Sequence, residues 1–102
     1  MAFTAIRSED GRTLEISVSG SFQFSLHREF RDTYREYTVP DSLIRLNLTQ
    51  AEYMDSAALG MLLLLNEHAK QHRGTVVLHR PSPVIRRILE ITSFDKLFRI
   101  ED

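Results

Sequence analysis

This chain predicts a small α/β layer fold, and three observations carry the prediction. Apolar residues alternate at period two before residue 20 and then recur at spacings of four, four and three from Leu26 to Tyr37. The two periods go on trading places to the end of the chain. A strand–helix–strand order of that kind favours parallel neighbours joined by right-handed crossovers.

The elements follow in order. Phe3 and Ala5, with Arg7 in step, fall on one side of a first strand. Leu14, Ile16 and Val18 form one face of a second, with Thr13, Glu15, Ser17 and Ser19 opposite. Asp10-Gly11 between the runs is a turn signal, so the two strands pair antiparallel, and the second stops at Gly20. A helix from Ser25 to Tyr37 buries Leu26, Phe30, Tyr34 and Tyr37 and leaves Arg28, Glu29, Arg31, Asp32, Arg35 and Glu36 in water. Pro40-Asp41 breaks the chain before a short strand, Leu43 to Leu48, whose Ile44 and Leu46 or Leu48 face opposite layers. After a short polar loop, a second helix runs from Asp55 to His72. Its close is signalled by Lys70, His72 and Arg73 at the negative end of the dipole and by Gly74 as the C-cap. Thr75 to His79 is a β-branched strand. Ser82 and Pro83 are the N-cap and first residue of a third helix that buries Ile85, Ile88 and Leu89. Phe94 to Ile100 closes the chain as a short turn and an edge strand.

Composition narrows the function. With 102 residues the chain is one domain, residues 1–102, large enough for a core without disulfides or metals. Thirteen Lys and Arg against fourteen Asp and Glu give a net charge of -1, without the basic excess of a nucleic-acid binder. No cysteine is present, which excludes disulfide scaffolds, thiolate zinc sites and thiol catalysis. The longest apolar run, Ala57 to Leu65, is less than half of the roughly 20 residues a membrane helix needs. Met1 to Arg7 lacks the pattern of a secretory signal, so a cytoplasmic protein without membrane insertion is expected.

Enzyme motifs are missing. His68 and His72 stand four apart on the second helix, but Glu67 precedes the first histidine and no third ligand is suggested, so they are read as polar residues at an exposed helix end rather than a metal site. There is no Gly-x-Ser-x-Gly elbow for a nucleophile, and the glycines at 11, 20, 60 and 74 are too scattered for a phosphate loop. No catalytic residue, metal or cofactor is assigned. One segment does stand out: Asp55-Ser56 opens the second helix, where unpaired N–H groups and the positive dipole end favour an anion. Either residue is suited to capping the helix.

The helix that follows is apolar on more than one side. Ala58, Leu62, Leu65 and Ala69 form a core stripe, with Leu59, Leu63 and Asn66 beside it, while Ala57, Met61, Leu64 and His68 fall on a different side. That side is either covered by the third helix or left as a patch for a partner. The second reading is taken here, with Met61 in the contact and Leu64 the more buried of the two.

Met54-Asp55-Ser56-Ala57-Ala58-Leu59-Gly60 resembles the Asp-Ser-small-small-Leu-Gly signature of STAS domains, in the branch of bacterial anti-sigma factor antagonists. Ile16 to Phe22 resembles that family's second strand and glycine turn, and Leu43 to Leu48 the strand feeding the signature. Val76-Val77-Leu78 with Pro83 to Leu89 resembles its last βα unit, and Phe94 to Phe98 its closing segment. The resemblance implies a mixed sheet of four to five strands with helices packed mainly on one face. It also implies that Ser56 is phosphorylated by a partner kinase, often the anti-sigma factor itself. A serine phosphatase, or a response regulator with a phosphatase domain, then restores it, and only the unphosphorylated form binds the partner. The implied partner surface takes in Asp55, Ser56 and Ala57 with Ser21 and Gln23 after the Gly20 turn. Gln23 stands where many members carry an aspartate that contacts the kinase. A second implied role is that of a STAS subunit in a larger assembly, such as a lipid-transport ABC system or a stress-signalling complex. A small hydrolase is the remaining alternative.

Overall fold

The alternating runs pair as their pattern requires. In the computed structural model, which describes residues 3–102, β1 (Phe3–Arg7) and β2 (Thr13–Phe22) form an antiparallel ladder that sets Phe3, Ala5 and Arg7 opposite Val18, Ile16 and Leu14. Gly11 takes φ +72 in the connecting turn, a left-handed conformation that suits a residue without Cβ. The Asp10 carboxylate accepts bonds from the Ser8 hydroxyl and the Arg12 N–H, which hold its carboxyl below the usual carboxylate range.

A 3-10 turn (Phe24–Leu26) leads into α1 (His27–Tyr37), followed by β3 (Leu43–Met54), α2 (Ser56–Gln71), β4 (Thr75–His79) and α3 (Pro83–Ile91). A second 3-10 turn (Phe94–Lys96) precedes the edge strand β5 (Arg99–Glu101). The sheet order is β1-β2-β3-β4-β5, with every pair after the first parallel. Leu14, Ile16 and Val18 of β2, Ile44, Leu46 and Leu48 of β3, and Val76 and Leu78 of β4 share one core with residues of all three helices. Ile44, Leu46 and Leu48 therefore face one layer rather than two, because side chains two apart on a strand point the same way.

The opposite sheet face carries charged side chains around the buried Val77. There Glu101 accepts from Arg45 Nε at 2.8 Å and lies 2.7 Å from His79 Nδ1. Desolvation pushes its carboxyl up, but the His79 hydrogen bond and the Arg45 charge outweigh this and hold it below the ordinary range.

Several boundaries differ from the sequence expectation. β2 continues past Gly20 to Phe22, and β3 runs through the expected polar loop to Met54. The two extensions pair with each other, Gly20 with Ala51 and Phe22 with Met54, so each supplies the backbone partners the other needs. Two register shifts, between Ser17 and Ser19 and between Gly20 and Ser21, accommodate the extra residues, and Gly20 takes φ +76 at the second. Phe22 is the anchor of the extension: its ring packs 5.0 Å from that of Phe30 and 5.8 Å from that of Phe3. Tyr37 lies outside the core at the end of α1, with the Arg7 guanidinium 5.6 Å over its ring. Glu29 is half-buried rather than solvated.

The end of α2 is also built differently. Arg73, not Gly74, takes the left-handed conformation, at φ +58, and its guanidinium grips the Asp41 carboxylate with bonds of 2.9 and 3.2 Å. Glycine is needed at 74 for space, since a Cβ there would stand 2.8 Å from the Ser42 carbonyl oxygen. The start of α3 follows expectation. Ser82 Oγ accepts from the Ile85 N–H, and the same hydroxyl donates to the Ala51 carbonyl at 2.8 Å, joining α3 to β3.

Candidate functional site

Asp55 decides the geometry of the helix start. It sits extended at φ -89, ψ 177 as the N-cap of α2, and its Oδ1 accepts from the Ala58 N–H at 2.8 Å. Its Oδ2 accepts from the Phe24 N–H at 3.3 Å, while its own N–H donates to the Phe22 carbonyl at 3.2 Å. One carboxylate thus caps the helix and ties down the turn after β2. Of the two residues suited to capping, the aspartate takes the role. Ser56 is left as the first helical residue, exposed, with its hydroxyl not used for capping.

The parallel pairing of Ser21 with Tyr53 and Phe22 with Met54 brings both strand ends to the same edge as the helix start. Ser21 and Gln23 are exposed there, and Gln23 opens the 3-10 turn, its carbonyl accepting from Leu26 N–H at 2.9 Å. Ser21, Gln23, Asp55 and Ser56 are therefore gathered at one end of the sheet, with Ala57 half-buried just behind them.

Two aromatic side chains at this end escaped the sequence reading. Tyr53 is 52% exposed and Phe24 is 60% exposed, stacked on the His27 ring at 4.4 Å. Tyr53 would have been visible had Thr49 to Met54 been read as strand, because alternation then sets it opposite the buried Met54. Phe24 lies just off the helical stripe, and no periodic pattern marks it.

On the second side of α2, exposure reverses the expectation. Met61 is 7% exposed and Leu64 is 63% exposed. The cover is α1, not α3: Met61 forms the floor of a notch whose other walls include Phe30 and Tyr34. Leu64, one turn further on, stands clear of that cover. His68 is half-buried, its ring 5.0 Å from that of Tyr34 and 4.4 Å from that of His72. It is not the exposed residue expected. Burial pushes its imidazole down from the usual histidine value, and His72 and Arg35 add to the effect. His72 Nδ1 lies 2.8 Å from the His68 carbonyl oxygen, so that nitrogen is engaged with the backbone. Among the described residues no His, Asp and Glu side chains are gathered as three metal ligands, and no helix is long and apolar enough to cross a membrane. A cleft of about 430 Å³ lies between Ser17, Asn47 and Arg80 and includes no signature residue.

Comparison with known proteins agrees with this architecture. A STAS-domain-containing protein of Pseudomonas aeruginosa is 43% identical over 100 residues, covering 98% of this chain and 99% of that protein. An anti-sigma-B factor antagonist of Listeria monocytogenes is 26% identical over 98 residues, covering 95% of this chain and 86% of the relative. The solved structure of the anti-sigma factor antagonist SpoIIAA in its unphosphorylated form has the same fold, with a TM-score of 0.73, 19% identity, and coverage of 99% of this chain and 88% of its own. The family model described as Mlab, STAS domain matches residues 6–100, and the chain belongs to the STAS domain family.

Proposed function

We propose that this domain is a phosphorylation-switched protein-binding module. In this reading the unphosphorylated form holds an anti-sigma factor or a serine kinase of the switch type, and phosphate on Ser56 releases it. The carrying observation is the division of labour at the helix start. Asp55 takes both the cap and the tie to the Phe24 turn, so the Ser56 hydroxyl is exposed and can be modified without unmaking either. The names of the anti-sigma-factor antagonist relatives support the class of partner.

The chemistry asks little of the domain. The kinase brings ATP, metal and base: the Ser56 oxygen bonds to the γ-phosphorus as the bond to the departing ADP breaks, and the hydroxyl proton leaves to the base. A serine phosphatase, or a response regulator carrying one, reverses the step by hydrolysis. The phosphate adds about −1.5 to −2 charges at pH 7. The α2 N-terminus tolerates that charge, with a favourable interaction of roughly 0.3–1 kcal/mol. An interface that buries it unpaired loses several kcal/mol, on the order of 3–5. Release therefore needs no change of fold. Gln23 in place of an acidic residue removes one negative charge from the contact, which selects a partner with less positive charge there. Such a module works in the cytoplasm, beside its kinase and phosphatase.

The test is phosphoryl transfer from ATP by a serine kinase of the anti-sigma factor type. Incorporation is expected into the native protein and is lost in Ser56→Ala. Phosphate mapped to another residue would sink the reading. A structural subunit of a larger assembly is the second reading, favoured by the exposed Val84, Ile91 and Leu97 on and after α3. Assembly that is insensitive to Ser56→Asp but lost in Ile91→Asp would favour it.

A further inference from the structure

We infer that the groove between α1 and α2 receives an acidic amphipathic helix of the partner; the inference rests on the switch reading and adds where and by what chemistry the partner docks. The upper part of the groove is a notch of about 70 Å³ walled by Phe30, Tyr34, Met61 and Leu64. A water occupies about 30 Å³ of liquid, so the notch holds the tip of one aliphatic side chain and little more. Below it the groove widens to about 270 Å³ beside Arg35, Glu67 and His68. Leu64 belongs to both parts, and its 63% exposure leaves an apolar side chain in water between them.

The rim supplies the charge. Arg28, Arg31 and Arg35 follow one another at three and four residues along α1, and Arg31 and Arg35 border the groove itself. Arg31 has only a long contact to Asp32, at 3.8 Å, and neither Arg28 nor Arg35 is in an ion pair among the described residues. Glu67 is the one acidic side chain in the groove walls. An occupant complementary to this surface carries carboxylates on the side facing α1 and an aliphatic anchor beneath. Both walls are helices with their own backbone bonds satisfied, so strand addition has no edge to use. From Met61 to His68 is seven residues, roughly 10 Å, the span of i and i+7 anchors on a docked helix. Ser56 lies five residues before Met61, roughly 7.5 Å along the same helix. It also lies about 140° around the helix from Met61, so a phosphate there adds negative charge at the N-terminal end of α2 without entering the groove. Its repulsion of an acidic occupant is long-range and strengthens at low ionic strength.

The experiment titrates two synthetic amphipathic peptides into the full isotope-labelled chain. One carries leucine anchors and glutamate flanks, and its twin carries lysine at every glutamate. The acidic peptide is expected to shift resonances of Arg31, Tyr34, Leu64 and His68. It should lose about tenfold or more in affinity against Leu64→Asp and against the Arg31→Glu, Arg35→Glu double variant, each with an unchanged melting temperature. The lysine twin should bind at least about tenfold more weakly to the native chain. Equal binding of the twin, no binding of the acidic peptide, or shifts confined to another surface overturns the groove. Those outcomes leave phosphate incorporation at Ser56 unaffected, so the two failures are distinguishable.

Discussion

At the scale of single residues, Asp55 and Ser56 divide work that the sequence left undivided. Either can cap a helix, and the fold assigns the cap to Asp55, whose second oxygen reaches the Phe24 N–H. Asp55→Ala is expected to lower stability by about 1–2 kcal/mol, the scale of a lost N-cap, and Ser56→Ala by far less. Urea titrations of both variants check this. Met61 and Leu64 were legible as one apolar face, but their order of burial was not, because it depends on how α1 crosses α2. Met61→Lys forces a charge under α1 and should cost about 3 kcal/mol or more, whereas Leu64→Lys should leave the melting temperature within a degree or two. His68 adds a pH dependence. Its imidazole titrates lower in the folded chain than in the unfolded one, since burial, His72 and Arg35 all disfavour the charged form. Below the unfolded value of about 6.5 the unfolded state binds the proton first, so stability falls as pH drops through that window and is regained above it. Melting temperatures measured from pH 7.5 down to 5 should fall less steeply in His68→Gln than in the native protein.

Among the elements, those with a clean period were legible from the sequence, and those set by a neighbour were not. The alternation of Leu14, Ile16 and Val18 and the signals Ser82-Pro83 placed β2 and the start of α3, because local chemistry alone determines them. The outer half of β3 was read as a polar loop because Thr49 and Gln50 break the apolar pattern. It is strand because β2 extends beside it and Ala51 and Met54 reach the core. Backbone pairing overrode composition there. The α2 end shows the same limit. Gly74 was legible as a glycine near a helix end, but the reason it must be glycine is the Ser42 carbonyl on another segment. Gly74→Ala should destabilise by about 1–3 kcal/mol, since backbone must move to admit the methyl group, while Gly60→Ala, with open space around it, should be neutral or slightly stabilising. Thermal unfolding of the two variants side by side separates crowding from helix propensity.

For the molecule as a whole, the parallel sheet converts separate segments into one surface. The ends of β2 and β3 and the start of α2 meet at a single edge, which is where Ser21, Gln23, Tyr53, Asp55 and Ser56 are displayed. The signature was legible as a short run, and so were Ser21 and Gln23 as its companions. The aromatic flank of Phe24 and Tyr53 was not, since it exists only once both strands reach the same edge. Phosphate on Ser56, as proposed, acts at this surface and leaves the core alone. The most direct test of the proposed switch places phosphoserine at position 56 by genetic encoding and measures binding of an anti-sigma factor of the proposed class to the modified and unmodified chains. The account predicts at least about hundredfold weaker binding of the phosphorylated form, the scale of roughly 3 kcal/mol, with both forms melting within a few degrees of each other. Equal affinity of the two forms, or loss of binding accompanied by unfolding, would contradict it.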